Sequence, residues 1–318
     1  MAYSAGDTIL DDEYNAFVNN SSSPYGYNHF AGTGAGEYGL NQTSIATVSA
    51  GNTINASNWN SLFTGMDNIA NHTNVSITAS SVSAGDTIAI RAALISDLAN
   101  LAAAVAGGST GATAISTPAA AGSSTNAATW NTSSTIERSI TFANNATMRA
   151  FFNAGGYVRI DPSCVTGIDG SKDDVFNDLT TTAIGNLDLK AHSTTRSGSG
   201  ETLTTNGLAN GFHDLGTGYT VLLKLTSDNS GYTSNTVEIS AKLNAAVGSA
   251  TVLTIKMVST DPADDTTYTS PNTSGVPANP NEAPRMTLAL LTANPNDTEG
   301  LAAAITPSSN AEVSNSTS

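Results

Sequence analysis

Hydrophobic positions in the N-terminal third of the chain fall at helical spacing, in blocks that each follow one short phrase. Ser4-Ala5-Gly6-Asp7-Thr8-Ile9 recurs as Ser49-Ala50-Gly51-Asn52-Thr53-Ile54 and again as Ser83-Ala84-Gly85-Asp86-Thr87-Ile88. Repetition of this kind fixes the architecture of the segment that carries it. The first copy leads to Asp11 or Asp12 as a helix cap and then to Tyr14, Phe17 and Val18. The second leads to Asn55 or Ser57 as a cap and to Trp59, Leu62, Met66 and Ile69, one stripe on a helical period. Superposing the two puts Tyr14 on Trp59 and Phe17 on Leu62. The third copy departs, with Ala93 and Ser96 at those positions and a stripe of Ile90, Leu94, Leu98, Leu101 and Val105.

Past residue 131 the period changes to alternation. Ile136, Ile140 and Phe142 mark one strand and Tyr157 to Ile160 another, followed by 220–226, 236–243, 251–258 and 286–291. Turn signals such as Asp228-Asn229-Ser230-Gly231 separate them. Two helical pieces, 145–153 and 173–179, interrupt the series. The pattern predicts an α+β chain in which a repeat-bearing helical N-terminal region is followed by an antiparallel, β-sandwich-like C-terminal domain. The expected divisions are a docking or oligomerisation region at 1–106, a Gly/Ala/Ser/Thr linker at 107–131, the β-rich domain at 132–294 and a flexible polar tail at 295–318. The Gly- and aromatic-rich stretch 21–39, with Tyr25, Tyr27, His29, Phe30 and Tyr38, reads as a loop tucked against a neighbouring subunit.

Composition narrows the function. Only 12% of the 318 residues are charged and 39% are hydrophobic, the balance being Ala, Gly, Ser, Thr and Asn. Such a chain suits an apolar surface completed by neighbouring subunits. With 11 basic residues and a net charge of −15, it lacks the cations that neutralise phosphates, so neither nucleic acid nor an anionic membrane is an expected partner. No run reaches the length of a membrane span, and Met1-Ala2-Tyr3-Ser4 has no leader-like pattern, so synthesis and retention in a cytoplasm are expected. The single cysteine, Cys164, excludes an intrachain disulfide framework and reads as a small buried hydrophobe.

Candidate chemistry is sparse. His29, His72, His192 and His213 stand in no metal-ligand spacing, and no nucleophile elbow, phosphate loop or dinucleotide fingerprint is present. Two acidic clusters, Asp169 to Asp174 and Asp261 with Asp264 and Asp265, read as solvated turns. Asp169, Asp173 and Asp174 are the metal candidates they leave, but Lys172 intrudes and a distal bidentate Glu is missing. Carboxylates for a depolymerase would have to converge from Glu137, Asp188, Glu201 or Glu238. No cofactor and no enzymatic activity are expected. The candidate assembly and packing residues are Tyr14, Phe17, Trp59, Leu62, Met66, Ile69, Phe151, Phe152, Gly155 and Gly156.

The most specific local string is Phe151-Phe152-Asn153-Ala154-Gly155-Gly156-Tyr157, an aromatic pair ending a helix, two glycines for a reversal and a departing strand. Phe152 to Gly156 resembles a string in virion structural proteins of tailed phages that infect marine bacteria and cyanobacteria. Tyr25-Gly26-Tyr27 and the Ile54 to Leu62 helix start resemble the N-terminal region of the same group, and Tyr219, Tyr232 and Thr236 to Ser240 are similar to its last strands in a looser way. The resemblance implies location in a virion. A fibre, neck or tail appendage assembled as a symmetric homotrimer or higher oligomer is expected, with other virion proteins as partners. Its alternatives are a host-surface glycan receptor module, using Tyr219, Tyr232 or Tyr268, and a capsid-decorating protein.

Overall fold

A computed structural model describes residues 11–32, 39–84, 91–108, 115–126, 130, 132–165, 171–262, 285–295 and 305–317. Among them are six α-helices and eleven strands in two antiparallel sheets, so the chain is α+β. The first copy of the repeated phrase lies outside the described residues, as do the third copy from Gly85 onward, Tyr38, Ile90, Asp169, Asp264, Asp265 and Tyr268.

The chain does not divide in sequence order. One compact unit takes Met1–Ser116, Asn144–Gly156 and Asn294–Thr306, and the other takes Thr117–Ala143, Tyr157–Ala293 and Pro307–Ser318. The contiguous division expected from composition therefore gives way to one in which each unit is stitched from separate stretches.

The first unit is helical: α1 (Asp11–Asn19), α2 (Tyr27–Phe30), α3 (Ala56–Thr73), α4 (Arg91–Ala106) and α5 (Asn145–Asn153). A reciprocal capping box starts α3, with Asn55 Oδ1 accepting from the Asn58 amide and Asn58 Oδ1 from the Asn55 amide. Left-handed Asn74 ends it. Trp59, Leu62, Phe63, Met66 and Ile69 are buried on one face. Tyr14 and Phe17 of α1 pack against Trp59, Tyr14 edge-on at 5.2 Å and Phe17 tilted at 6.0 Å. The two repeat-related aromatics, Tyr14 and Trp59, thus touch each other. Strict repetition is not kept, since α1 has 9 residues and α3 has 18. Leu94, Leu98, Leu101 and Val105 of α4 are buried as their spacing predicts.

In α5, capped by Asn144, Phe151 and Phe152 are fully buried and meet edge-to-face at 5.0 Å. Gly155 follows at φ +85°, open to glycine at little cost. A Cβ on Gly156 would come within 2.6 Å of the Phe151 carbonyl oxygen. Both glycines are required by the corner.

The second unit holds the sheets. One has the order β1-β10-β3-β4-β5 and the other β11-β2-β9-β8-β7-β6. Their ranges are β1 Ala119–Thr125, β2 Ser133–Thr141, β3 Tyr157–Val165, β4 Leu187–Leu189, β5 Thr194–Arg196, β6 Thr202–Asn206, β7 Thr220–Thr226, β8 Thr236–Leu243, β9 Val252–Thr260, β10 Arg285–Ala293 and β11 Ser309–Thr317. Burial alternates strictly along β2 and along β3 through Cys164, as period-2 side chains require. The run expected as linker contributes β1, and the tail expected to be flexible contributes β11, paired with β2. Edge strands β1, β6 and β11 carry register shifts and β5 has three residues, which blunts every sheet edge.

Helix α6 (Ser171–Asn177) runs on into a π-helical stretch, Asp178–Ile184. Its Lys172 forms an ion pair with Asp261 just past β9, both about 1% exposed. Removing one partner strands the other charge away from water. Asp261→Asn is therefore expected to cost about 3–5 kcal/mol, whereas Lys172→Met with Asp261→Leu costs far less; urea unfolding of the three proteins checks this.

Candidate functional site

The residue after each repeat-related aromatic is an asparagine, Asn15 on α1 and Asn60 on α3. Asn15 Nδ2 donates to the Val48 carbonyl at 2.8 Å while its Oδ1 accepts from the Val48 amide at 2.8 Å. Asn60 does the same to Val82, at 2.9 and 2.8 Å. A primary amide carries both a donor and an acceptor and so can grip one residue's N–H and C=O together. Val48 and Val82 each precede a Ser-Ala-Gly.

A second grip falls three residues earlier in each run. Asn28 on α2 holds Ile45 through the same amide pair, both bonds 2.8 Å. In the matching place Asp97 of α4, 4% exposed, accepts at Oδ2 from the Thr78 amide, the Thr78 hydroxyl and the Ala79 amide at 2.9–3.0 Å. Two extended runs without strand partners are thus fixed to helices by side chains. Before and between the grips, Thr43, Ser44, Ala46 and Thr47 make no hydrogen bond to other described residues, and neither do Ser76, Ile77, Ser80 and Ser81.

Beside the first run lies a groove of about 440 Å³. It is lined by Gln42 to Ala46, by Asn58, Ser61, Gly65 and Asn68 along one face of α3, and by Tyr14 and Tyr27. No lining side chain is charged. The Tyr14 hydroxyl donates to the Asn58 carbonyl at 3.1 Å. Tyr27 is 4% exposed, and its ring lies so close to Gly65 that a Cβ there would meet it at 2.7 Å. Burial pushes the Tyr27 phenol up to about 12, so it stays protonated and able to donate. Neither the Tyr27 hydroxyl nor the Asn68 amide has a hydrogen-bond partner among the described residues.

In the second unit, Tyr219 lies on the outward side of β8 and β9, with Lys242 Nζ 4.3 Å and Lys256 Nζ 3.9 Å from its ring centroid. Burial, and then the adjacent Glu137 carboxylate, pushes its phenol upward. Lys224 pairs with Glu238 nearby at 3.4 Å. Asp188 is held by Arg159 in a two-bond fork at 2.7 and 2.8 Å. Glu201 accepts from the Asp228 amide at 2.5 Å and neighbours Asp178. Of the four carboxylates considered for polysaccharide cleavage, Glu137 and Glu238 thus share one sheet near Tyr219, while Asp188 is tied to Arg159 and Glu201 to the Asp228 amide.

Among the described residues no three His, Cys, Asp or Glu side chains converge as a metal site. Asp173 is buried on α6 and Asp174 is exposed. Cys164 is buried, its thiol pushed up to about 12 by burial and by Asp173 and Asp174. Distant in sequence, His192 and His213 stack at 4.9 Å. His29 stacks on Tyr25 at 4.1 Å, and His72 Nε2 lies 3.0 Å from the Ala154 carbonyl.

Comparison of the chain with protein-family models, with curated proteins and with solved structures finds no match.

Asn60→Ala is expected to lower the stability of the helical unit by about 1–2 kcal/mol, two net hydrogen bonds. It should also speed hydrogen exchange at the Val82 amide, read by NMR or mass spectrometry. Burial and then the Asp178 and Asp228 carboxylates raise Glu201 from 4.5 to about 7. A raised carboxyl favours the folded state while protonated, so its contribution is complete below about 4.5 and is lost as pH climbs through about 7. Glu201→Gln should flatten the fall in thermal midpoint across that window.

Proposed function

We propose that this chain is a structural component of a tailed-phage virion, in a fibre, neck or tail appendage, built from identical copies. The carrying observation is the pair of extended runs held to helices by asparagine and aspartate side chains. Backbone fixed in this way is ordered before it meets a partner, and the exposed residues beside the grips, Ala46, Thr47, Ser80 and Ser81 among them, keep polar groups for another chain to use. Ordering a segment in advance removes part of the entropy that association would otherwise cost. The uncharged surface chemistry of Ser, Thr, Asn and Gly supports the same reading, as do the string from Phe152 to Gly156 and the helix start from Ile54 to Leu62.

Within the second unit the proposal is that the two sheets face each other as a sandwich. Arg138 of β2 donates to the Ser124 hydroxyl on β1 at 2.5 Å and from Nε to Asn310 of β11 at 3.1 Å. Asn315 of β11 donates to the Thr125 carbonyl of β1 at 3.0 Å. These bonds join the sheets along one side, and the alternating apolar residues supply two inner faces.

A second reading is favoured by one observation, the Tyr219 ring held by Lys242 and Lys256 on the outward sheet side. An aromatic flanked by cations suits a host-surface glycan, which makes the second unit a receptor module of the same particle.

Antibodies against the chain are expected to decorate washed, purified phage particles at tail, neck or fibres in electron micrographs. Particles that carry none of the chain by immunogold and by mass spectrometry would end the virion reading. In sedimentation the purified chain is expected to run as a trimer or larger.

A further inference from the structure

We infer that the groove between α3 and residues 42–46 is a docking site for an extended, uncharged peptide run of a second copy of this chain. The inference rests on the reading of the protein as a self-assembling component and names the place where assembly occurs.

The chain supplies the precedent. Asn15, Asn28 and Asn60 each read one residue of extended backbone through a paired donor and acceptor. Asn68 stands on the same helix as Asn60, eight residues on, and lines the groove with an amide that has no partner among the described residues. Tyr27 adds a second such group, a protonated hydroxyl on a side chain that is 4% exposed. Together they present the donor and acceptor that one more stretch of backbone needs.

Charge selects the occupant. The groove holds no charged side chain, so a charged peptide would lose hydration there without gaining an ion pair. This chain carries uncharged extended runs of the required kind, since residues 42–54 and 75–84 contain no Asp, Glu, Lys or Arg. Two copies at net −15 repel at long range, and uncharged runs are where close approach costs least. These runs are also the ones that the helix asparagines already recognise within one chain. A second copy therefore brings the matching segment with it.

The test uses the full-length chain with Ser61, on the groove, replaced by the photo-crosslinking residue benzoylphenylalanine, Ser61→benzoylphenylalanine. Isotope-labelled and unlabelled copies are mixed, irradiated and analysed by mass spectrometry. Crosslinks between a labelled and an unlabelled copy that fall within 42–54 or 75–84 are the expected result. Asn68→Ala and Tyr27→Phe should each weaken self-association by roughly tenfold in sedimentation, the effect of one or two lost hydrogen bonds, with thermal midpoints unchanged. An oligomer that is indifferent to both substitutions, or that crosslinks from Ser61 only within one copy or to charged segments, overturns the docking site and leaves the assembly reading standing. A chain that sediments as a monomer at every concentration overturns both.

Discussion

The helical unit depends on a side-chain amide doing what a neighbouring strand does elsewhere. Extended backbone must place its N–H and C=O groups, and a sheet is the usual solution. Here Asn15, Asn28 and Asn60 each take both groups of one residue, and Asp97 takes two amides and a hydroxyl. The runs before Val48 and Val82 are thus extended without being sheet. Each asparagine grip takes both polar groups of a single residue, and the Asp97 grip takes two adjacent amides, so the neighbouring residues of each run keep theirs.

That arrangement explains the spelling of the repeat. An aromatic followed by asparagine puts the apolar anchor into the core and the amide at its edge, so Tyr14 and Trp59 meet while Asn15 and Asn60 turn to the extended runs. The third block has Leu94 where the asparagine would stand, and α4 is anchored by its leucine stripe and by Asp97 instead. The second unit follows a different economy. Its strands satisfy one another, its apolar residues alternate, and it buries the ion pair of Lys172 with Asp261. Each sheet ends in a short or bulged strand, so further pairing at the edges is disfavoured. Both sets of features fit the proposal that assembly uses the helical unit.

Much of this was legible in advance. Strands at 220–226 and 236–243 and the helix at 145–153 coincide with β7, β8 and α5, because each has a full apolar face and clear turn residues. Strands β1, β6 and β11 were not legible. Their residues, such as Thr202 to Asn206, are polar and exposed at sheet edges, where pairing is decided by the neighbour. The three-residue β4 and β5 leave no period to detect. In the groove, Tyr14 and the α3 helix can be read from their period, but Tyr27 sits in a Gly- and aromatic-rich stretch that has none, and Asn68 carries no signal. The asparagine grips did leave a trace, since superposing the first two blocks aligns Asn15 with Asn60 and Val48 with Val82 in the copies that follow.

By itself the sequence determined periodicity: which stretches are helical, which alternate, where the aromatic anchors fall and where glycine must turn the chain. Those follow from local geometry and from the side chains' own solubility, which need no partner. Tertiary structure alone decided which separate stretches make up each unit, which polar strands are recruited to sheet edges, and which amides grip which carbonyls. These are contacts between residues far apart in the chain, and a polar residue's place depends on the group it meets.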